Sequence, residues 1–207
     1  DSFSCFHRQI DEDFDLNEKR IALISKCTEL IPFHNQIYEA FQHHIDDLIG
    51  TDILVQKTMN LVIDVPHSET NSEYHRDAPL NSYYELVFWI PLTSSENSKN
   101  FYVLDKQQTK KMLNEYKCGE PWDNLARKYE SIGNRFQVNF GEAIVFNPGL
   151  FHGSVKNFTD ETRWTVNVRF KNVFTPPGKK DPFQFFKILH LSNLTQLGVE
   201  LERFECE

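Results

Sequence analysis

Residues 136–174 read FQVNFGEAIVFNPGLFHGSVKNFTDETRWTVNVRFKNVF. Short runs of β-branched and aromatic residues alternate here with Gly, Pro, Asn and Asp. The stretch therefore divides into strands over 136–140, 143–146, 154–158 and 163–174, with turns between them. Upstream, 53–65 is β-branched and reads as one or two strands, 83–92 as another and 101–104 as a short one. Residues 17–49 read as helical: Ile21, Leu23, Ile24, Cys27, Leu30 and Ile31 form an apolar stripe, Pro32 breaks the run, and Gly50 stops the second helix. Residues 106–117 read as a helix or helical turn, and 118–134 as a Gly/Pro/Asn-bearing excursion with Trp122 and Leu125 tucked inward. Helices followed by many short strands predict a mainly β fold with flanking helices, a sandwich or jelly roll. With no repeat and no low-complexity linker, 1–207 is expected to be one domain. Its parts are N-terminal helices over about 17–49, a β core over about 53–174 and an apolar tail over 182–204 packed on the body.

Inside this framework His75-Arg76-Asp77 precedes the apolar strand 86–92, and His152 follows 77 residues later in Gly149-Leu150-Phe151-His152-Gly153. Two neutral imidazoles and one carboxylate can hold one face of an octahedral metal and leave its other positions open for chemistry. A lone His-x-Asp is weak. Its conjunction with a late His and with Arg163, eleven residues beyond that His, is much stronger. Alternation along an extended segment puts His75 and Asp77 on one side, so both can reach one ion. His152 has to arrive from a distant strand. His7, His34, His43, His44 and His190 lack ligand spacing.

Four stretches together carry a resemblance. They are His75-Arg76-Asp77; Leu86-Val87-Phe88-Trp89-Ile90-Pro91-Leu92; Gly141-Glu142-Ala143-Ile144-Val145-Phe146 leading into His152-Gly153-Ser154; and Arg163-Trp164-Thr165. From about Gln56 to Phe170 the chain resembles the Fe(II)/2-oxoglutarate-dependent oxygenases, in the branch that includes phytanoyl-CoA dioxygenase. The resemblance implies a double-stranded β-helix, a cupin-like jelly roll with iron near one mouth. It implies Fe(II) on His75, Asp77 and His152, with 2-oxoglutarate and O2 as cosubstrates. It implies release of succinate and CO2 as a substrate is hydroxylated or otherwise oxidised. Halogenating relatives carry Ala or Gly where this chain keeps Asp77, so hydroxylation is the implied outcome.

The resemblance gives Arg163 the distal carboxylate of 2-oxoglutarate, since a planar guanidinium matches a carboxylate with two parallel donors. Thr165 lies two residues on along the same face. Arg169 is the rival clamp, because 163, 165, 167 and 169 share a face by period two. Gln56, Thr58 and Asn60 alternate on the strand before the His-x-Asp, and with Trp89 they are further cosubstrate candidates. His67, Tyr74, Arg76, Tyr83 and Tyr84 are candidates for substrate contact. The competing readings are a cupin-like metalloprotein with other chemistry, which needs no Arg163 clamp, and a non-catalytic binding module, which needs no intact triad.

The chain has 207 residues, a formal net charge of −8 and 25% charged residues. No basic surplus exists to meet phosphates, which argues against nucleic acid or an anionic membrane as partner. A small polar substrate is expected, a sugar, nucleotide sugar or similar molecule, with a protein or peptide substrate as runner-up. Oligomeric state is not legible. No run approaches the roughly 18–20 apolar residues that span a bilayer. Four scattered cysteines (Cys5, Cys27, Cys118, Cys206) form no Cys-x-x-Cys pair and fit reduced thiols, so a cytoplasmic location is expected.

Overall fold

A computed structural model describes residues 3–11, 13–68, 74–96 and 98–206. Two antiparallel sheets dominate. The larger contains β1 (Ile53–Gln56), β2 (Asn60–Asp64), β3 (Glu85–Pro91), β6 (Ile144–Phe146), β8 (Arg163–Asn172) and β9 (Phe186–His190). Its order is β6-β3-β8-β1-β9, with β2 also paired to β8. The smaller runs β5 (Asn134–Arg135), β4 (Phe101–Val103), β7 (His152–Ser154).

The ten-residue β8 organises the larger sheet. Residues 165–171 pair with β3, residues 163–167 with β2 and residues 170–172 with β1. The segment 53–65 is thus two strands laid end to end against one neighbour. Side chains alternate across β8 with the period of a strand. Trp164, Val166, Val168 and Phe170 face the main core, while Arg163, Thr165, Asn167 and Arg169 face a cavity.

Two helices cover the outer face, α1 (Leu16–Leu30) and α2 (Phe33–Ile49). Asp15 caps α1 by accepting from the Glu18 N–H, and Phe33, Tyr38 and Ile45 of α2 are buried. Their apolar stripes meet Ile53, Val55, Phe88 and the even-numbered residues of β8 in one cluster. Between the sheets lies a second cluster of Val87, Trp89, Phe101, Val103, Val138 and Phe146. Burying such side chains is the main favourable term holding the layers together.

Four expectations need correction. Residues 118–134 hold a helix, α4 (Trp122–Ile132), beside α3 (Lys106–Lys117). Trp122, Leu125, Ala126 and Tyr129 recur at helical spacing and pack in a cluster with Met112 of α3. Residues 136–140 form no strand beyond a single bridge from Ser95 to Val138, and Phe136 and Phe140 stay exposed. The strand at 154–158 shrinks to the end of β7, with Phe158 exposed. The tail is packed only in part. After the short α5 (Pro182–Phe185), β9 buries Phe186 against β1, while Leu194, Leu197, Leu201 and Phe204 of α6 (Asn193–Cys206) are exposed. Among the described residues no helix is long and apolar enough to cross a membrane.

Candidate metal and cosubstrate site

The polar segment after β2 returns to the sheets through a single backbone bridge. His75 N–H donates to His152 O, and His152 N–H donates to His75 O, each at 2.9 Å. This exchange sets the two imidazoles side by side, with ring centroids 4.4 Å apart. The backbone N–H groups of Asp77 and Ala78 donate to Pro148 O at 3.0 and 3.1 Å. The turn Asn147-Pro148-Gly149-Leu150 therefore receives the whole His-x-Asp segment. Gly149 is required there, since a Cβ would lie 2.8 Å from Tyr83 Cδ1 and 2.9 Å from Asn147 Oδ1.

These contacts bring one donor atom each from His75, Asp77 and His152 within 4.8 Å of one another. His75 Nε2 lies 3.7 Å from Asp77 Oδ1, and His152 Nε2 lies 3.7 Å from Asp77 Oδ2. His152 Nδ1 contacts Leu150 O at 2.9 Å. A carbonyl only accepts, so Nδ1 carries the hydrogen and Nε2 presents a lone pair toward the triad. Burial, then the nearby His75, lowers the His152 pKa to about 4, which keeps the ring neutral as a metal requires. Burial alone would raise the Asp77 carboxyl. Arg169 and His152 outweigh it and hold Asp77 below the usual carboxylate value.

A cavity of about 160 Å³ opens beside the triad, lined from both sheets. Its inner wall is the odd face of β8 together with Asn60, Val62 and Asp64 of β2. Arg163 is 1% exposed. Its Nη1 donates to Asn100 O at 2.6 Å and its Nη2 lies 3.1 Å from Asp64 Oδ2, while its Nε has no acceptor. Thr165 Oγ1 and Asn167 Oδ1 are also buried without a partner. Asp64 Oδ2 and Arg169 Nε likewise lack an aligned hydrogen bond, and buried polar atoms without partners are costly, so these five atoms mark the cavity as a place for a polar ligand. Arg169 is committed elsewhere. Its Nη2 contacts Asp77 Oδ2 at 2.5 Å, its Nε lies 3.7 Å from Glu85 Oε2, and its Nη1 donates to Gln56 Oε1 at 3.4 Å.

The cavity thus gathers His75, Asp77, His152, Asn60, Trp89, Arg163, Thr165 and Arg169. Gln56 touches it only through Arg169. The remaining candidates lie elsewhere. Tyr74 is buried and stacked on Tyr102 and Phe151, with ring centroids 4.9 and 5.6 Å away. The Arg76 guanidinium sits 5.2 Å over the Phe151 ring. His67 is exposed and faces Asp160 at 3.5 Å. Thr58, Tyr83 and Tyr84 line surface hollows. Substrate-facing residues in 69–73 and at 97 would lie outside the described residues. Sequence reasoning missed Asp64 and Asn167. The signal was present, since Asp64 continues the alternation Asn60, Val62, Asp64, and Asn167 lies between Thr165 and Arg169 on one face.

The donor set fits a metal. Two imidazoles and a half-buried carboxylate are the N/O ligands that suit Fe(II) with open positions. The unpaired donors near Arg163 fit a carboxylate-bearing ligand in the same cavity.

No known family model matches the sequence, and no curated protein does. Solved structures share the fold. ThoJ, a non-heme monooxygenase, aligns in its apo form over 74% of this chain and 58% of its own, with TM-score 0.53 and 15% identity. The ThoJ–nickel complex aligns over 76% and 64%, with TM-score 0.50 and 18% identity. HygX from Streptomyces hygroscopicus, with nickel and 2-oxoglutarate bound, aligns over 72% and 69%, with TM-score 0.52 and 13% identity. This chain spans only 58–64% of the ThoJ chains. At such identities the likeness establishes a shared cupin-like architecture of helices and antiparallel sheets.

Proposed function

We propose that this chain is an Fe(II)- and 2-oxoglutarate-dependent oxygenase of double-stranded β-helix (jelly-roll) fold that hydroxylates a small polar molecule. The observation that carries the reading is the convergence of His75, Asp77 and His152 at one end of a cavity whose wall bears Arg163. The four motif matches support a place in the branch that includes phytanoyl-CoA dioxygenase. ThoJ, a non-heme monooxygenase known as a nickel complex, and HygX, known with nickel and 2-oxoglutarate bound, support the same chemistry by analogy of fold.

With Fe(II) and 2-oxoglutarate bound, such a centre uses O2 to split the keto acid to succinate and CO2 while oxidising the substrate. The chain's own contribution is positional. His75, Asp77 and His152 would hold the ion, each through one donor atom. Leu150 O fixes the His152 tautomer. Arg169 aims the Asp77 carboxylate. The Arg163 Nε–H and the Thr165 hydroxyl would donate to the distal carboxylate of the keto acid. The apolar walls formed by Val87, Trp89, Phe101 and Phe146 limit water at the centre. Polar lining from Asn60 and Ser154 suits a hydroxyl-bearing substrate, in the class of sugars and nucleotide sugars.

A second reading, a cupin-like metalloprotein that uses no keto acid, draws on the pairing of Arg163 with Asp64. The unpartnered donors Arg163 Nε and Thr165 Oγ1 weigh against it. The test is succinate formation from 2-oxoglutarate with Fe(II), O2 and a panel of polar substrates. Succinate that needs Fe(II) and vanishes in His152→Ala supports the oxygenase. A folded, metal-loaded protein that forms none across the panel refutes it.

A further inference from the structure

Asp64 and Arg163 are direct cross-strand partners, both turned into the cavity and 5% and 1% exposed. Their side chains meet at 3.1 Å, so the guanidinium proposed to receive a carboxylate already faces one. A second carboxylate seated at the free Nε edge, beside Thr165, would leave two anions sharing one cation among buried side chains. Like charges at this range are unfavourable, the more so for buried groups. A proton on Asp64 removes the conflict. It restores one positive charge facing one negative charge, and it converts Asp64 from an acceptor into a donor.

We propose that Asp64 makes cosubstrate binding proton-linked: the distal carboxylate of 2-oxoglutarate is accepted at Arg163 only as Asp64 takes up a proton. The proposal rests on the oxygenase reading above. Burial already raises the Asp64 carboxyl, with the Arg163 charge offsetting this only in part. Among the described residues, the other titratable or charged side chains on the cavity are His75, Asp77, His152 and Arg169, gathered at the triad, with Arg169 six residues along β8 from Arg163. Saturating the triad with metal fixes its protonation. Lys99 and Glu161 nearby are engaged with each other. Asp64 is then the group free to respond.

The experiment is calorimetric titration of the nickel-loaded protein with 2-oxoglutarate at several pH values, in buffers of different ionisation enthalpy. Uptake of about one proton is expected at pH 8, with affinity falling about tenfold per pH unit across the alkaline range. Asp64→Asn should abolish both effects and bind more tightly at pH 8. 2-Oxopentanoate, which has the chelating end and no distal carboxylate, should bind wild type with no uptake. Binding of 2-oxoglutarate without proton uptake overturns the proposal and leaves the oxygenase reading intact. Failure of both keto acids to bind the metal-loaded protein overturns the two together. The wild-type proton count decides the matter even if Asp64→Asn does not fold.

Discussion

Replacing Arg169 with Met removes a guanidinium shared by the buried Glu85 and the half-buried Asp77 carboxylates while keeping most of the side-chain length. Arg169 and Asp77 have side-chain exposures of 11% and 14%, and Glu85 is 2% exposed. Breaking a buried pair by removing one partner costs about 3–5 kcal/mol. Glu85 keeps the Ser82 N–H at 2.7 Å and Asn81 Nδ2 at 3.1 Å, so the orphaned charge is chiefly Asp77. The lower end, about 3 kcal/mol, is therefore expected for the metal-free protein. For a chain of this size that is a fall of roughly 6–12 °C in Tm. A bound divalent cation supplies the charge that Arg169 supplied, and ligand at 100 times its Kd stabilises by about 2.7 kcal/mol even without such relief. The metal-induced rise in Tm should therefore be larger in Arg169→Met than in wild type. Thermal unfolding of both proteins with and without Ni(II) measures this. A metal-free variant as stable as wild type, or a metal-induced shift no larger than wild type's, refutes the reasoning.

Arg163→Met should weaken 2-oxoglutarate binding by roughly tenfold or more, the loss of a hydrogen bond to a charged group. Ni(II) affinity should stay unchanged, and calorimetry on the metal-loaded protein separates the two. Gly178→Ala would put a Cβ 2.4 Å from Asn81 C and 2.5 Å from Leu80 O, backbone of the segment just after Asp77. It should cost about 1–3 kcal/mol. It should also weaken metal binding, which urea unfolding and metal titration would show. His34 is buried, and burial followed by the Lys187 charge lowers its pKa to about 4. The unfolded chain then binds a proton between about pH 6.5 and 4 that the folded chain does not. Stability should accordingly fall as pH drops through that window, by up to about 3 kcal/mol. His34→Leu should flatten this slope in equilibrium unfolding, and an unchanged slope would contradict the assignment.

The clustering of His75, Asp77 and His152 was legible because its signal is local: a His and an Asp one residue apart, and a second His followed eleven residues later by an arginine. The helix pair was legible through Pro32 and Gly50, and β8 through its unbroken alternation. The structure adds what spacing cannot carry. That Arg169 belongs to Asp77 depends on where the His-x-Asp segment docks, and Pro148 O and the His75–His152 backbone bridge set that docking. That Asp64 faces Arg163 follows from the register of β2 on β8, which periodicity alone leaves open. Tyr74 lies next to a ligand in sequence, yet it turns into the cluster of Tyr102, Leu125 and Tyr129, because neighbours on an extended segment point oppositely. The helix over 122–132 was hidden behind its flanking Gly, Pro and Asn, though Leu125, Ala126 and Tyr129 already carried the helical period.

The central claim is that His75, Asp77 and His152 bind a metal on which 2-oxoglutarate chelates. Anaerobic addition of Fe(II) and then 2-oxoglutarate, followed by visible absorption, tests it most directly. The account predicts a weak charge-transfer band that requires both components and is lost in Asp77→Ala. A folded protein that binds Fe(II) but gives no band at saturating 2-oxoglutarate would contradict it.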